Sequence, residues 1–350
     1  KNLVVIKNKK KLKTFASYNL VKTMRAGILV LGPMLARFGN AKVSTPGGCS
    51  IGVRPIDIHL KALSKLGISY KIINGYVYAN SKKKLKAAKI KFPKISVGAT
   101  ENLIIASSMA EGTTILSNCA IEPEIKDLVN FINCIGGKIK WIGKRTLSVI
   151  GVKKFKENEY SIMPDRIEAG TYLIAAAVTE GNLKISGINP KIIRTEIEIL
   201  KKIGIKIKSE KDSIKISGTK NIKNINLKTS PYPGFPTDLQ AQLMVLLCKS
   251  KKHSTIKEEI FENRFMHVSE LNRMGAKIKT FGNKAFIEGN IDFRAAELMA
   301  TDLRASVSLI IAGLAAKGKT TINRIYHLDR GYEEIEKKLR KVGAKIRRVS

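Results

Sequence analysis

Acidic residues, aromatic residues and long apolar runs are all scarce in this 350-residue sequence. Asp and Glu number 28 against 64 Lys and Arg, so the formal charge is +36, and aromatic residues make up 6% of the chain. No run of about 18 apolar residues without a charge occurs, which predicts that no segment spans a membrane. With 44% hydrophobic residues the chain can bury one large core or two, so disorder is not expected.

Cysteines are also few, and their spacing indicates neither a disulfide framework nor a metal site. The four are Cys49, Cys119, Cys134 and Cys248. Such unpaired thiols are typical of a reducing compartment, so we expect a cytoplasmic protein. The histidines lack metal-ligand spacing, and no Walker-type or dinucleotide-binding glycine motif occurs. The sequence therefore predicts no metal and no cofactor.

The excess of positive charge has two interpretations. Scattered lysines form an ordinary solvated surface, whereas a basic field also attracts a nucleotide, a phosphorylated substrate or a nucleic acid. No arginine-rich or aromatic-interleaved strip occurs, so a nucleic acid is not expected as the partner.

One phrase recurs five times: an amphipathic segment, a glycine, and then alternating apolar and lysine residues. A spacing this regular indicates structural repetition. Each glycine is expected to end a helix in the left-handed conformation, and the alternation after it predicts a strand with one wet face. The five glycines, spaced by 68 to 71 residues, are Gly67, Gly136, Gly204, Gly275 and Gly343.

Each repeat also begins with a helix rich in small residues, which gives a βαβαββ unit of about 70 residues. Small residues favour close packing, so we expect these first helices to be buried, with the sheets outside them. A polar stretch at 153–159 predicts a domain boundary, with domains at 1–163 and 164–350. Five units fill the chain, and we expect a sixth to be missing from the first domain. The predicted first helices are 21–35, 100–110, 168–178, 238–247 and 302–316.

A glycine-rich loop at 45–55 carries the first candidate for chemistry. It reads PGGCSIGVRP from Pro46, with prolines at both ends and Cys49 close to Arg54. A mobile lid that brings an activated thiol to a substrate would have this composition, because a guanidinium favours the thiolate. An incidental cysteine in a glycine-rich turn is the alternative. The other three cysteines lie among apolar residues and are expected to be buried and inert.

Arginines stand at corresponding places in several repeats, although lysine is far commoner. The planar guanidinium binds carboxylate or phosphate at two points, and helix starts add free N–H groups, so anion binding is favoured over surface ion pairing. Arg25, Arg166 and Arg304 begin first helices, and Arg54, Arg264 and Arg330 lie in later segments.

Three aspartates occupy helix starts: Asp165, Asp238 and Asp302. Capping the helix is the commoner role for such a residue. An aspartate that faces a cluster of arginines could instead accept a proton from a hydroxyl group. The spacing does not choose between the two roles.

Taken together, these stretches resemble the UDP-N-acetylglucosamine 1-carboxyvinyltransferases, the enolpyruvyl transferases that open bacterial peptidoglycan synthesis. The resemblance covers essentially the whole chain in order, and the cysteine loop is its most specific part. It implies an α/β fold of two domains, an inside-out barrel with three βαβαββ units in each domain around buried helices, and an active site in the cleft between them. The matching words include LVKTMRAG (20–27), PGGCSIGVRPIDIHL (46–60), KISVGATEN (94–102), PDRIEAGTYLIAAA (164–177), FPTDLQAQ (235–242), FENRFMHVSELNRMGA (261–276), MATDLRASVSLIIAG (299–313) and RIYHLDRGYE (324–333).

The resemblance also implies the reaction and its residues. The family transfers the enolpyruvyl group of phosphoenolpyruvate to the 3-hydroxyl of UDP-N-acetylglucosamine, releases phosphate and needs no metal. Cys49 matches the lid cysteine that protonates the methylene carbon, and Asp238 matches the base for the sugar hydroxyl. The arginines around phosphate and carboxylate match Arg54, Arg264, Arg304 and Arg330. Positions that hold the sugar nucleotide match Arg25, Arg54, Pro55, Ile56, Asp57, Ile58, Lys94, Ile95, Ser96, Val97, Gly98, Asp238 and Ile260, and further acids match Glu122, Asp165 and Asp302.

One departure from the family concerns its first unit, which carries an adjacent Lys-Asn pair that contacts phosphoenolpyruvate. The first recognisable stretch here, LKTFASYNLVKTMR, lies beyond that pair, which agrees with the expected absence of a sixth unit. Two alternatives stay open: a non-catalytic relative, and an enzyme that processes nucleic-acid ends and is built from related repeats, such as an RNA terminal phosphate cyclase. The latter should carry a catalytic histidine motif, and none is evident.

Overall fold

The computed structural model describes residues 3–7, 12–22, 25–46 and 56–349, apart from the side chain of Arg25. The chain forms two compact units that divide between Ile162 and Met163. Across the described residues, every helix is too short or too polar to cross a bilayer.

The first unit holds two four-stranded sheets and the helices that join their strands. Its elements are β1 (Phe15–Ala16), α1 (Tyr18–Val21), a 3-10 helix (Arg25–Val30), α2 (Leu31–Phe38), β2 (Asn40–Ser44), α3 (Asp57–Ser64), β3 (Ser69–Ile73), β4 (Tyr76–Asn80), β5 (Lys89–Lys91), α4 (Val97–Ser107), β6 (Thr113–Ser117), α5 (Pro123–Cys134), β7 (Lys138–Gly143) and β8 (Thr146–Ile150).

The second unit has the same kind of organisation in three further copies. Its elements are α6 (Arg166–Val178), β9 (Asn182–Ser186), a 3-10 helix (Pro190–Ile193), α7 (Arg194–Lys202), β10 (Lys206–Ser209), β11 (Ser213–Ser217), β12 (Asn226–Lys228), a 3-10 helix (Thr237–Leu239), α8 (Gln240–Leu247), β13 (Ser254–Lys257), α9 (Val268–Arg273), β14 (Ile278–Phe281), β15 (Lys284–Ile287), β16 (Glu297–Met299), α10 (Leu303–Ala315), β17 (Thr321–Asn323), a 3-10 helix (Ile325–Arg330) and α11 (Ile335–Lys341).

The sheets share one topology, and this confirms the predicted βαβαββ repeat. Their strand orders are β1-β2-β4-β3, β5-β6-β8-β7 and β12-β13-β15-β14, with β10-β11-β9 and β16-β17 as shorter versions. In the sheet of β5 to β8, the first two strands are parallel and the other pairs are antiparallel. A crossover helix joins the parallel pair, and a hairpin closes the copy.

The glycine that ends each second helix adopts a left-handed conformation, as the sequence predicts. The φ angles are 90° at Gly67, 97° at Gly136, 101° at Gly204, 92° at Gly275 and 98° at Gly343. An L-residue with a side chain rarely takes such an angle, so these positions carry the repeat signal.

Buried first helices form the centre of each unit. In the second unit α6, α8 and α10 each pack against the other two, and in the first unit α2 packs against α4. All eight residues of α8 are buried. Strands such as β8 alternate between buried and more accessible residues, because only one face of each sheet meets the helices. Helices inside and sheets outside confirm the predicted arrangement.

The prediction of one continuous helix over 21–35 is wrong, because three shorter helical segments replace it. The chain forms α1, then the 3-10 helix Arg25–Val30, and then α2 from Leu31. Pro33 lacks an N–H group and is tolerated only in the first turn of a helix, so a helix has to begin just before it. The other first helices start or end within a few residues of the predicted bounds, and 3-10 helix Thr237–Leu239 replaces the first turn expected before α8.

A second set of glycines recurs where the last strand of a copy ends, and the sequence analysis missed it. Gly151, Gly218 and Gly289 follow β8, β11 and β15 and press against the backbone that follows the first helix of the same copy. A β-carbon would lie 1.6 Å from the carbonyl oxygen of Ala110 at Gly151, 2.5 Å from Cα of Glu180 at Gly218 and 2.0 Å from the carbonyl oxygen of Ser250 at Gly289. No side chain fits at such a distance.

Candidate active site

Asp238 lies between two arginines in the second unit. Its Oδ1 accepts a hydrogen bond from Arg264 Nη2 at 2.5 Å, and its Oδ2 accepts one from Arg304 Nη2 at 2.9 Å. The Asp238 side chain is 38% exposed, against 4% for Arg264 and 15% for Arg304. A carboxylate is thus held in place by two nearly buried cations while part of it stays open to solvent.

The three helix-start aspartates divide into two roles. Asp165 caps α6, with Oδ1 accepting from the amides of Ile167 and Glu168. Asp302 caps α10 in the same way. Asp238 is no cap, since Pro236 holds the N-cap position of its 3-10 helix and the carboxylate bonds to arginines instead. Capping therefore accounts for two of these aspartates, and the third has the contacts of a functional group.

A buried polar network holds Arg304. Its Nη1 donates to the Tyr332 hydroxyl at 3.1 Å, and that hydroxyl lies 2.8 Å from Thr171 Oγ1. Gln242 Nε2 donates to Thr171 Oγ1 at 3.2 Å and to the Asp238 carbonyl oxygen at 2.9 Å. Burial opposes the charged form of Arg304, but Asp238 and Tyr332 outweigh it, so the pKa of the guanidinium is raised. The cation is permanent and its orientation is fixed.

Arg330 ends a 3-10 helix and is exposed. Among the described residues it makes no ion pair, because the neighbouring Asp329 pairs with Arg348, at 2.9 Å and 2.6 Å. Burial lowers the pKa of His327 nearby, and the charge of Arg330 lowers it further. The Arg330 guanidinium is therefore available to an anionic ligand.

Glu258 connects the Ile260 turn to the segment that carries Asp238. Its Oε1 accepts from the Ile260 amide at 2.8 Å, and its Oε2 accepts from Thr237 Oγ1 at 2.9 Å. One buried carboxylate thus joins the predicted site residue Ile260 to Thr237, the residue just before Asp238. The sequence analysis missed Glu258, because nothing in its local pattern separates it from an ordinary strand-end acid.

In the first unit, the stretches 56–58 and 94–98 meet through His59. Asp57 begins α3 and is exposed, whereas the side chain of Ile58 is buried in the core. Ser96 caps α4, and its Oγ accepts from the Ala99 amide at 3.3 Å. A β-carbon at Gly98 would lie 3.2 Å from His59 Cε1, so the imidazole lies against the first turn of α4. Lys94 is exposed and Ile95 half-buried beside that turn.

Three carboxyl groups lie close together where α4 meets α5. Glu122 is buried and stands just before α5. Burial, together with the nearby charges of Glu124 and Glu122, raises the pKa of Glu101 to about 7. Protonation of Glu101 near neutral pH relieves repulsion within this group.

Several predicted residues are not part of this description. Cys49, Arg54 and Pro55 lie outside the described residues, as does the rest of the loop at 47–55. The backbone of Arg25 begins the 3-10 helix Arg25–Val30, and its side chain lies outside the described part of the structure. Arg166 was expected to bind an anionic ligand. Instead it forms a buried ion pair with Glu196 at 3.3 Å, so its role is structural.

The remaining cysteines differ in burial. Cys119 and Cys248 are fully buried, and burial raises the pKa of each thiol to about 12, so both are inert as predicted. Cys134 is only half-buried, which corrects the expectation for that residue, because it lies at the end of α5 rather than inside the core.

Comparison with known proteins identifies the class. A family model described as EPSP synthase (3-phosphoshikimate 1-carboxyvinyltransferase) matches residues 1–339. The chain belongs to this family of enolpyruvyl transferases, and it is similar to several UDP-N-acetylglucosamine 1-carboxyvinyltransferases. The protein of that name from Pelagibacter ubique (strain HTCC1062) is 74% identical over 350 residues, which are 100% of this chain and 84% of that protein. The protein of the same name from Paramagnetospirillum magneticum (strain ATCC 700264 / AMB-1) is 49% identical over 337 residues, which are 96% of this chain and 78% of that protein.

Solved structures confirm the fold. The enolpyruvyl transferase NikO from Streptomyces tendae has a TM-score of 0.86 at 23% identity, covering 96% of this chain and 80% of that one. EPSP synthase from Acinetobacter baumannii has a TM-score of 0.69 at 20% identity, covering 91% and 77%. The predicted enolpyruvyl transferase fold is therefore correct, and family membership decides against an RNA-end-processing enzyme.

Proposed function

We infer that this enzyme transfers the enolpyruvyl group of phosphoenolpyruvate to the 3-hydroxyl of UDP-N-acetylglucosamine and releases phosphate. The high identity to proteins of that name supports the substrates. The structural observation that carries the inference is Asp238, a partly exposed carboxylate held by Arg264 and Arg304. We further propose that the reaction serves bacterial peptidoglycan synthesis in the cytoplasm, where it would be the first committed step.

The second unit supplies the groups that act on phosphoenolpyruvate and the sugar hydroxyl. Phosphoenolpyruvate carries a phosphate and a carboxylate, and guanidinium groups bind both anions in bidentate fashion. Arg264, Arg304 and Arg330 are the proposed ligands. Asp238 takes the proton of the 3-hydroxyl while that oxygen bonds to the carbon that carries the phosphate. Loss of phosphate, together with a proton from the neighbouring carbon, then regenerates the enolpyruvyl double bond.

Cys49 is the proposed acid on the opposite side of the reaction. Protonation of the methylene carbon makes an oxocarbenium-like centre, which the sugar hydroxyl attacks. A thiol proton carrier on a lid can deliver that proton after water is excluded. Arg54 would favour the thiolate that remains.

The first unit supplies most of the proposed contacts to the sugar nucleotide. The starts of α3 and α4 lie together, and the first turn of α4 offers backbone N–H groups beside Lys94. The proposed contacts are Arg25, Arg54, Pro55, Ile56, Asp57, Ile58, Lys94, Ile95, Ser96, Val97 and Gly98, with Ile260 and Asp238 from the second unit and Glu122, Asp165 and Asp302 as further acids of the site.

Phosphate release with both substrates tests the proposal directly. We expect phosphate only when UDP-N-acetylglucosamine and phosphoenolpyruvate are present together, and an enolpyruvyl product on the sugar nucleotide by mass spectrometry. Shikimate 3-phosphate in place of the sugar nucleotide should give none. If phosphate were released from phosphoenolpyruvate with shikimate 3-phosphate but not with UDP-N-acetylglucosamine, the protein would be a 3-phosphoshikimate 1-carboxyvinyltransferase instead.

The arginines are tested by substitutions that keep their charge. Arg304→Lys and Arg330→Lys should each raise KM for phosphoenolpyruvate about tenfold or more, because lysine lacks the planar fork. KM for the sugar nucleotide should change much less. Steady-state kinetics with each substrate varied in turn gives both values. Arg294, an exposed arginine outside the predicted site, provides the matched control as Arg294→Lys. Unchanged kinetics in both variants would remove these arginines from the phosphoenolpyruvate site.

Cys49 is tested by its reactivity. We expect the epoxide fosfomycin to alkylate Cys49 ahead of Cys119 and Cys248, whose raised pKa values keep them protonated. Cys49→Asp should keep part of the activity, since a carboxyl group also carries a proton, and should resist the drug. Peptide mapping by mass spectrometry locates the adduct. An adduct on Cys134 instead would refute the role.

A further inference from the structure

Asn102 is a fully buried amide that joins three elements of the first unit. Its Oδ1 accepts from the Gly32 amide at 2.7 Å. Its Nδ2 donates to the Ile28 carbonyl oxygen at 3.1 Å and contacts His59 Nδ1 at 3.2 Å. These contacts link α4 to α2, to the 3-10 helix before α2, and to α3. Nothing in the proposed reaction uses this amide.

The network determines which nitrogen of His59 carries the proton. The Gly32 N–H needs an acceptor, so the amide oxygen of Asn102 has to face it, and the NH₂ group faces the other two partners. One N–H of that group bonds to the Ile28 carbonyl, which leaves the other for His59 Nδ1. Because this contact is a donation from Asn102, Nδ1 has to be the unprotonated nitrogen. A neutral imidazole then holds its proton on Nε2.

The surroundings of the imidazole agree with a neutral ring. His59 is 7% exposed. Burial lowers its pKa to about 4, although Asp57 raises it in part. Glu101 on α4 and Lys71 on β3 are the charged side chains of the described helix and strand that pack against α3, and neither is a cause of that shift. At neutral pH the ring therefore carries one proton.

Nε2 lies at the first turn of α4. A β-carbon at Gly98 would be 3.4 Å from it, and within the described part of the chain Nε2 makes no hydrogen bond. The amides of Val97 and Gly98 likewise have no partner among the described residues, as is usual in the first turn of a helix. Three N–H donors thus lie at the first turn of α4, and none of them has an acceptor among the described residues.

We propose that Asn102 is a positioning residue, which holds His59 as the Nε2–H tautomer so that this N–H donates to an oxygen of the sugar nucleotide bound at the start of α4. The inference rests on the proposed function, because it takes UDP-N-acetylglucosamine as the ligand. An imidazole with its proton on Nδ1 would present a lone pair to that oxygen and repel it. The amide prevents this by occupying Nδ1 with a donor.

Nitrogen NMR of the unliganded enzyme tests the tautomer without any substitution. With ¹⁵N-labelled histidine, the His59 signals are assigned by their loss in His59→Gln. We expect Nε2 to be protonated and Nδ1 bare between about pH 6 and about pH 9. A proton on Nδ1 in that range overturns the proposal, whatever the enzyme binds.

Asn102→Asp tests the consequence for binding. The carboxylate accepts a hydrogen bond from Nδ1–H and raises the pKa of His59, so Nε2 is bare at about pH 9 and protonated again at about pH 6, where the ring is an imidazolium. UDP-N-acetylglucosamine should bind about tenfold more weakly than to the wild type at the higher pH, with recovery at the lower pH, as measured by calorimetry. The wild type, in contrast, should not bind the sugar nucleotide more tightly at the lower pH than at the higher pH. KM for the sugar nucleotide should rise while kcat at saturation changes little.

A double substitution provides the matched control. His59→Gln keeps an N–H donor near the Nε2 position but has no tautomers, so in that background Asn102→Asp should lose its pH-dependent effect. Equal weakening of binding at both pH values, or in both backgrounds, would show a merely structural role and overturn the proposal. If the wild type neither binds UDP-N-acetylglucosamine nor releases phosphate, the proposed function fails as well. Wild-type turnover with a normal Asn102→Asp variant removes this inference alone.

Discussion

Asp238→Asn is expected to lower kcat by about 100- to 10,000-fold, the range over which a positioned general base acts. The amide keeps the shape of the carboxylate and still accepts one hydrogen bond from an arginine, but it cannot take the proton of the sugar hydroxyl. KM for the sugar nucleotide should change little by comparison. Phosphate release under saturating concentrations of both substrates gives the value.

Asp292→Asn is the matched control for that experiment. Asp292 is exposed and pairs with Lys249 at 3.4 Å and Lys317 at 3.7 Å, so its replacement removes the same charge away from the arginine pair. We expect its kcat to equal that of the wild type. Because Asp238→Asn also leaves a nearly buried arginine with a weaker partner, circular dichroism should establish that the variant is folded before rates are compared. A folded Asp238→Asn enzyme with wild-type kcat would refute the role of base.

Gly289→Ala is expected to destabilise the second unit by about 3 kcal/mol or more. The new methyl group would lie 2.0 Å from the carbonyl oxygen of Ser250 and 2.8 Å from that of Lys252. Both are backbone atoms, so relief requires movement of the chain. The hydrogen bonds from the amides of Asn290 and Ile291 to the carbonyls of Ser250 and Cys248, at 2.8 Å and 2.9 Å, would be disturbed as well. Urea unfolding followed by circular dichroism measures the loss.

Gly143→Ala is the control for this substitution. A methyl group there would lie 3.5 Å from Thr146 Cβ, an ordinary contact, and Gly143 also lies near a strand end. Its unfolding free energy should stay within about 1 kcal/mol of the wild type, since a glycine in a strand has little side-chain packing to lose. Equal stability of the two variants would show that the close approach at Gly289 does not constrain the fold.

Much of the fold was accessible from the sequence, because its signals are local. A glycine at φ near 90° and an alternating strand are separated by only a few residues, so each repeat can be recognised from a short stretch of sequence. The break before α2 was missed, although Pro33 is a local signal, because the small apolar residues around it favour one continuous helix. The glycines after the last strands were missed for another reason. What they avoid is backbone about 40 residues away in the chain, as between Gly289 and Ser250.

The site was less accessible, because its contacts are long-range. Asp238 looks like Asp165 and Asp302 in sequence, and only the folded chain brings Arg264 and Arg304 to it from 26 and 66 residues away. The Tyr332 network likewise joins residues 161 positions apart. A resemblance to a family can point to such residues, whereas composition and periodicity cannot.

The mutual packing of α6, α8 and α10 limits the addition of further repeats to the second unit. In an open solenoid each repeat leaves one face for the next, so copies can be added at the ends. Here each first helix contacts both of the others, and the ring is closed. A fourth copy from a further gene duplication would find no vacant helix face to cover its own apolar side. Within this unit, evolution can therefore alter loops and surface hairpins but cannot extend the array.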